Sequence, residues 1–372
     1  MEQRTAATAQ VSTGSGPNYP VIVEPGAMDR LPTLLGELAP AHKYALIADA
    51  TVAGLHGDRV IGLLEGAGLE VSSFTFPAGE ASKTRDTWAR LTDHMLDAGF
   101  GRDSVVLALG GGVTGDMAGF VAASYMRGVP VVQLPTSLVA MIDASVGGKT
   151  GVDTHAGKNL VGAFHPPRLV LADPEVVATL PRAERAQGLV EAVKHGAILD
   201  LAYLDQLEHS MTRLLDAEPE PLRGAVTRSV ELKAQVVSED EREAGLRQIL
   251  NFGHTLAHAI EAATSYAVPH GSAVGLGMIL EARLGEALGV TAAGTSDRLR
   301  QAIRSLGIPE QLPQGAAPSE IMSYLGADKK VRGGEARFVL LTELGVVSEV
   351  EDWTRPVSAT AIEEILTTAV VT

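Results

Sequence analysis

The stretch VVLALGGGVTGDMAGF, residues 105–120, joins an unbroken apolar run to a glycine-rich turn and then to residues of helical character. A short apolar run bounded by glycines reads as a strand buried on both faces, the pattern of a parallel sheet. Gly110, Gly112 and Gly115 follow in G-x-G-x-x-G spacing. Glycines so spaced permit a tight turn and let backbone N–H groups approach a pyrophosphate at a helix N-terminus. A plain tight turn carries the same glycines; the strand before and the helix after favour dinucleotide binding. The acidic residue usual about 20 positions downstream is missing. Asp49, which ends the apolar run KYALIAD (43–49), is the substitute candidate for ribose hydroxyls.

Working outward, LEVSSFTF (69–76), SVVLALGG (104–111), VPVVQLPT (129–136) and RLVLADP (168–174) also read as strands, and TRDTWARLTDHMLDAGF (84–100) as an amphipathic helix. From Arg182 the periodicity turns helical, in segments 181–198, 222–238, 247–264 and 271–288. A strand pair at 336–350 precedes a final helix. The expectation is an α/β protein: a flexible tail over 1–17, a Rossmann-like parallel-sheet domain over 18–181, and a mostly α-helical metal- and substrate-binding domain over 182–372, with a site in the cleft between the two domains.

Composition narrows the function. The net charge of −15 argues against nucleic acid, whose phosphates demand basic surfaces. With no cysteine, disulfides, thiolate catalysis and cysteine-ligated zinc are excluded, so a metal must use histidine and carboxylate. The first 17 residues have no apolar core for a signal peptide, and no apolar run approaches the ~20 residues of a membrane span. A cytoplasmic protein is expected. The chain has only eight lysines, and most lie in glycine-rich or otherwise unusual stretches.

One of these stretches, SVGGKTGVDTHAGKNLVG (145–162), imitates a nucleoside-triphosphate P-loop at Gly148-Lys149-Thr150. Asp143 stands where that motif needs its first glycine, so a carboxylate occupies a phosphate's place. Elsewhere, NFGHTLAHAIE (251–261) puts His254 and His258 four apart on one helix face, His270 follows, and Glu191 lies on another helix with Lys194 three residues on. Two or three histidines plus a carboxylate is the composition of a catalytic zinc site; two histidines on a polar face are the plainer reading. Thr255 excludes the H-E-x-x-H protease motif. Arg127, Lys149, Lys158, Asn159, Lys233, Arg247 and the Lys329–Lys330 pair sit near glycines or motif boundaries. In an acidic chain they suit a small, highly anionic substrate, or else are ordinary solvated charges.

Taken together, GGGVTGDMAGFVAASYMRG, LPTSLVAMIDASVGGKTGVDTHAGKNLVGAFHPP, GLVEAVKHG, LNFGHTLAHAIE, PHGSAVG and DKKVRGG closely resemble 3-dehydroquinate synthase, a member of the sugar phosphate cyclases, from about residue 18 to the C-terminus. The resemblance implies a carbon–oxygen lyase of the shikimate pathway, leading to the aromatic amino acids. It would convert 3-deoxy-D-arabino-heptulosonate 7-phosphate to 3-dehydroquinate and phosphate. The implied chemistry is transient oxidation by NAD, phosphate β-elimination, re-reduction, ring opening and aldol closure, with Zn2+ or Co2+ acidifying a hydroxyl.

By the same resemblance, Glu191, His254 and His270 match metal ligands. Asp49, Glu80, Lys83, Gly111, Gly112, Val113, Asp116, Thr136 and Ser137 match NAD contacts, with Lys158 and Thr179 lining that region. Lys149, Asn159, His258 and one of Lys329 and Lys330 match holders of the substrate phosphate. Lys233 and Arg247 match carboxylate binders, while Asp143, Lys194 and Asn251 match residues around the substrate hydroxyls. Arg127 matches an arginine reaching into a neighbouring subunit's site, which implies a homodimer. The rivals are a cyclase acting on an amino analogue or another sugar phosphate, and, more distantly, an NAD-linked metal-dependent polyol dehydrogenase. Three positions depart from the family's usual residues: Ser137 for Thr, Ala257 for Gly, and Ser272 for Glu. Loss of a carboxylate beside His270 is expected to alter how the metal is oriented or held.

Overall fold

The computed structural model describes residues 7–14, 16–155, 157–327 and 336–371. It divides into two compact units, Met1–Pro181 with Pro219–Glu241, and Arg182–Glu218 with Arg242–Thr372.

The first unit is built on a seven-stranded sheet. Its strands are β1 (Ala9–Val11), β2 (Tyr19–Val23), β3 (Lys43–Asp49), β4 (Val71–Phe76), β5 (Ser104–Gly110), β6 (Val131–Pro135) and, after a separate two-stranded hairpin of β7 (Lys149–Thr154) and β8 (Gly157–Phe164), β9 (Leu169–Ala172). The order is β1-β2-β9-β6-β5-β3-β4, parallel throughout except for the β1–β2 pair. Successive side chains of a strand point to opposite faces. On β5, Val105, Leu107 and Leu109 enter one apolar core while Val106 and Ala108 enter another. Both faces are covered, which is why these strands read as continuous apolar runs rather than alternating ones. Each fully buried Val or Leu contributes ~1.5–3 kcal/mol.

The chain leaves β3 for β4 in one direction and β5 for β6 and β9 in the other. The C-terminal ends of β3 and β5 therefore flank the sheet's topological switch point, where ligands bind in open α/β folds.

Two sequence expectations are corrected here. Residues 9–11, assigned to a loose tail, form β1 and extend the sheet's edge, with the Thr8 N–H donating to the Val21 carbonyl. The helix Pro219–Glu239, expected in the second domain, packs against β1 and the turn Ala140–Ala144 within the first unit. The hairpin β7–β8 covers the glycine-rich stretch that imitates a P-loop, for which the sequence suggested no strand. Its glycines are structural: a Cβ on Gly162 would stand 1.9 Å from the Thr150 carbonyl oxygen and one on Gly151 2.8 Å from that of Val161.

The second unit is mostly helical, with long helices Arg182–Leu199, Leu201–Leu215 and His270–Ala287. The expected helix over 247–264 is broken. A 3-10 segment Leu246–Asn251 precedes Gly253, whose φ of 81° begins the helix His254–Ala263. That helix meets His270–Ala287 closely, since a Cβ on Gly277 would lie 2.0 Å from the Gly253 carbonyl oxygen. The expected strand pair divides in two: Leu341–Glu343 pairs with Val346–Val347, and Ala336–Phe338 pairs with Arg355–Val357 before the last helix, Ala359–Val371.

Candidate active site

In the first unit the site is a turn. β5 ends at Gly110 and the helix Gly112–Ser124 starts at once, with Gly111 as its N-cap and no capping side chain. The first N–H groups of that helix thus lack a side-chain partner, which suits an anion. A Cβ on Gly115 would meet Gln133 Oε1 at 2.9 Å, one on Gly110 Thr114 Oγ1 at 2.4 Å, and one on Gly111 Ser137 Oγ at 3.3 Å. Glycines therefore let this turn pack flat beneath the strand ends. Val113 lies in the first turn of the same helix, and Thr136, buried, donates its N–H to the Gly110 carbonyl just after β6.

Asp49 ends the neighbouring strand. Its Oδ1 accepts from the N–H groups of Thr51 and Val52, and its Oδ2 lies 3.4 Å from Thr114 Oγ1. Ser137 Oγ accepts from the Ala140 N–H, so serine retains the capping hydroxyl that threonine would supply. Thr179 Oγ1 lies 3.1 Å from the His56 ring.

A charged knot sits beside the turn. Lys83, buried, places Nζ 2.5 Å from both Asp116 Oδ2 and Asn159 Oδ1. Burial pulls the Lys83 ammonium down, but Asp116's charge and hydrogen bond more than reverse it. Burial also raises Asp116 and Glu80, against the lowering charge of Lys83 on each. Lys158 is 3.9 Å from Glu80. Asn159 adopts φ 56° and donates its N–H to Asp153, so the backbone turns its amide toward Lys83. The same unit holds Lys233, whose Nζ lies 2.5 Å from Asp143 Oδ1 and from the Asp143 carbonyl. Lys149 opens β7, exposed. Arg127, also exposed, follows Met126; both have positive φ, 50° and 70°. Such a left-handed pair costs of the order of 1–3 kcal/mol per residue and persists where the surroundings demand it.

In the second unit the site is made of side chains from three segments. Glu191 on the helix Arg182–Leu199, His254 opening the next, and His270 opening the third each bring a ligand atom within 4.8 Å of the others. Both histidine Nε2 atoms stand 3.7 Å from Glu191 Oε1, while Lys194 Nζ contacts Oε2 at 2.5 Å. The Glu191 side chain is 1% exposed, and apart from the Lys194 ion pair at Oε2 neither of its oxygens has a hydrogen-bond donor. Burial, reinforced by the charge of Lys194, holds His254 well below the usual imidazole range and so neutral. For His270, burial pulls downward but a hydrogen bond donated by the ring to Glu261 and the charges of Glu191 and Glu261 lift the ring above its usual value.

One carboxylate with unfilled lone pairs and two imidazoles is a donor set for Zn2+ or Co2+, so these residues fit a divalent metal. The His258 ring centroid is 5.6 Å from that of His254 and 6.4 Å from that of His270. Arg247 is buried and Asn251 donates to Glu243 at 2.5 Å. Lys329 and Lys330 lie outside the described residues.

Several residues here went unread in the sequence. Glu261 Oε2 lies 3.4 Å from His270 Nδ1, so a carboxylate does flank His270 from another helix. It stands seven residues after His254, two turns along the same face, a spacing that could have marked it. Glu281, fully buried, accepts the N–H groups of Gly253 and Leu256 and so caps the helix that His254 opens. Gln187, one turn before Glu191, binds Ser272.

A sheet unit with a dinucleotide-type turn at its switch point, and a helical unit with a divalent-metal donor set, define the class. The chain's sequence matches the 3-dehydroquinate synthase N-terminal domain over residues 73–187 and the 3-dehydroquinate synthase C-terminal domain over 188–331. It is 43% identical over 338 residues to 3-dehydroquinate synthase of Nostoc punctiforme, covering 90% of this chain and 93% of that one. Among solved structures it resembles 2-deoxy-scyllo-inosose synthase complexed with carbaglucose-6-phosphate, NAD+ and Co2+, with a TM-score of 0.89 and 25% identity over 97% of this chain and 99% of that one. It also resembles 2-epi-5-epi-valiolone synthase of Streptomyces hygroscopicus subsp. jinggangensis with NAD+ and Zn2+ bound, with a TM-score of 0.86 and 30% identity over 96% and 98%. The chain belongs to the 3-dehydroquinate synthase family.

Proposed function

We propose that the chain converts 3-deoxy-D-arabino-heptulosonate 7-phosphate to 3-dehydroquinate and inorganic phosphate, using NAD and a divalent metal, zinc or cobalt. The observation that carries this is the Glu191–His254–His270 donor set in a member of this family. When bound, NAD supplies a hydride acceptor that later returns the hydride, and the metal polarises adjacent hydroxyls of the substrate.

The chain's own residues do the rest by positioning and charge. Asp49, Glu80, Lys83, Asp116, Thr136, Ser137 and Thr179 frame the cofactor with the backbone of Gly111, Gly112 and Val113, and Lys158 lines the same region. Lys149, Asn159 and His258 hold the phosphate, with one of Lys329 and Lys330. Lys233 and Arg247 take the carboxylate, and Asp143, Lys194 and Asn251 the hydroxyls. Retention of Lys233 and Arg247 favours an acid substrate over a plain sugar phosphate. By the family resemblance Arg127, which is exposed, reaches the neighbouring subunit's site in a homodimer. Among the described residues no helix is long and apolar enough to cross a membrane; a cytoplasmic location is part of the proposal.

Incubating the protein with the heptulosonate phosphate, NAD and Zn2+ tests this reading. Phosphate should appear with no net change at the nicotinamide absorbance band, and the carbocycle should be identified as 3-dehydroquinate. Stoichiometric NADH would instead indicate a dehydrogenase, and preference for the amino analogue a sister cyclase.

A further inference from the structure

The helix His270–Ala287 begins without a cap of its own. Its N-cap is Pro269, which offers no side-chain acceptor, so the first-turn N–H groups need a partner from elsewhere. That partner is Gln187, on the helix Arg182–Leu199. Its Oε1 accepts the Ser272 N–H at 2.7 Å, and its Nε2 lies 3.0 Å from Ser272 Oγ. The backbone donor fixes which end of the amide faces the turn, because only the oxygen can accept. The approach is close. A Cβ on Gly271 would lie 2.5 Å from the Gln187 carbonyl oxygen and 2.8 Å from its Cα, so the first turn of one helix rests on the other at this point.

Gln187 is one helical turn, ~6 Å, from Glu191. His270 is two residues before Ser272, and its Nε2 is 3.7 Å from Glu191 Oε1. The amide therefore ties the turn carrying one proposed ligand to the helix carrying another.

We infer that Gln187 is a positioning residue for the metal site: by capping the Ser272 N–H across the helix pair, it sets where His270 stands relative to Glu191. The inference rests on the proposed metal reading of Glu191, His254 and His270. Partners that orient ligands typically change metal affinity by 10–100-fold when removed.

The test titrates the full chain with Co2+ against a competing chelator, following the visible ligand-field absorption, for wild type, Gln187→Met, Gln187→Glu, Ser272→Ala and His254→Ala. Gln187→Met keeps the side chain's length without the acceptor, and should raise the Co2+ Kd ~10–100-fold and change the absorption band. Gln187→Glu offers the same acceptor to the same N–H, with an anion favourable at a helix N-terminus, and should stay within about threefold of wild type. Ser272→Ala keeps the backbone donor and should fall between them. A Gln187→Met chain that binds Co2+ within about twofold of wild type overturns the inference, as does a lower metal-free Tm with an unchanged Kd, which is packing alone. Should Gln187→Met not fold, Gln187→Asn, one methylene short of the N–H, is read by the same criteria. A wild type whose Co2+ site survives His254→Ala contradicts the metal reading itself, a separate result from any ratio among the Gln187 variants.

Discussion

In the first unit a prospective ligand meets backbone: a turn of glycines at the end of β5, an uncapped helix N-terminus, and strands whose only task is to place them. In the second it meets side chains from residues 191, 254 and 270, each anchored by partners of its own. The first site is local in sequence and tolerant of side-chain identity except where a Cβ would collide. The second is distributed over three helical segments and depends on atoms that glycine or alanine cannot replace. Substitutions in the triad should therefore be far more damaging than any single change at the turn. Glu191→Ala and His254→Ala are expected to lower phosphate release at least ~1,000-fold, in line with losing a metal that stabilises developing charge. Phosphate assay together with metal analysis checks this; substantial turnover by a metal-stripped chain would break the comparison at its strong end.

The cation proposed to hold the substrate phosphate, Lys149, should be next in effect. Lys149→Ala removes a charge-assisted contact worth ~1.5–3 kcal/mol, which corresponds to a rise of about 10–100-fold in KM for the phosphate substrate. NAD affinity should change much less. Fluorescence titration of NADH beside the kinetic measurement separates the two. Equal losses would move Lys149 from the substrate to the cofactor.

The contrast between the regions also governs what could be read from the chain. The switch-point strands were legible because burial on both faces makes them continuous apolar runs, and the glycine turn because its residues are adjacent. The hairpin β7–β8 was not. Its polar and glycine-rich composition resembles a loop, and only the close pairing of Gly151 against Gly162 makes it strands. The same blindness put the helix Pro219–Glu239 in the wrong unit, since periodicity shows that a helix has an apolar face and not what covers it. Of the triad, types and spacing were visible, and the family resemblance selected the three residues. Gln187 was missed because it acts on a residue of another helix, a pairing written in tertiary packing; Glu261 shares a helix face with His254, but its action on His270 is likewise set by packing. The Ser272 departure shows the consequence. A lost carboxylate was expected to disturb His270, yet Glu261 supplies one and Gln187 occupies Ser272.

Below the charged contacts come steric ones. Gly119, in the helix after the turn, would place a Cβ 2.4 Å from Thr150 Cγ2 on β7. Gly119→Ala should thus separate helix from hairpin and cost ~1–3 kcal/mol of stability, as overpacking does. The expected activity loss is only a few-fold, through a misplaced turn, and Co2+ affinity should be unchanged. Thermal melts and the cobalt titration check it. A weakened metal site would show that the two regions are not independent.

The smallest effect on turnover should come from Glu281, which contacts no proposed ligand side chain and acts only by capping the helix that His254 opens. Burial raises its carboxyl from 4.5 to about 8, opposed by the N–H groups it accepts from Leu256 and Gly253. A carboxyl raised on folding favours the protonated native state: its stabilising contribution is full below pH 4.5 and is lost as pH rises through about 8. Glu281→Gln offers a neutral side chain of the same length at every pH, but where the protonated acid keeps a hydroxyl oxygen able to accept the second N–H, the amide presents an NH2 that cannot. At pH 5 the variant should be the less stable by roughly the value of a helix cap, ~1 kcal/mol. As the pH is raised from 5 toward 8.5 the wild type should lose that advantage, because only its side chain must choose between a buried charge and a proton. Tm measured for both chains across that window checks the prediction. Parallel pH profiles would mean that the two backbone donors at the start of the His254 helix hold Glu281 ionised throughout, and that burial is the weaker force there.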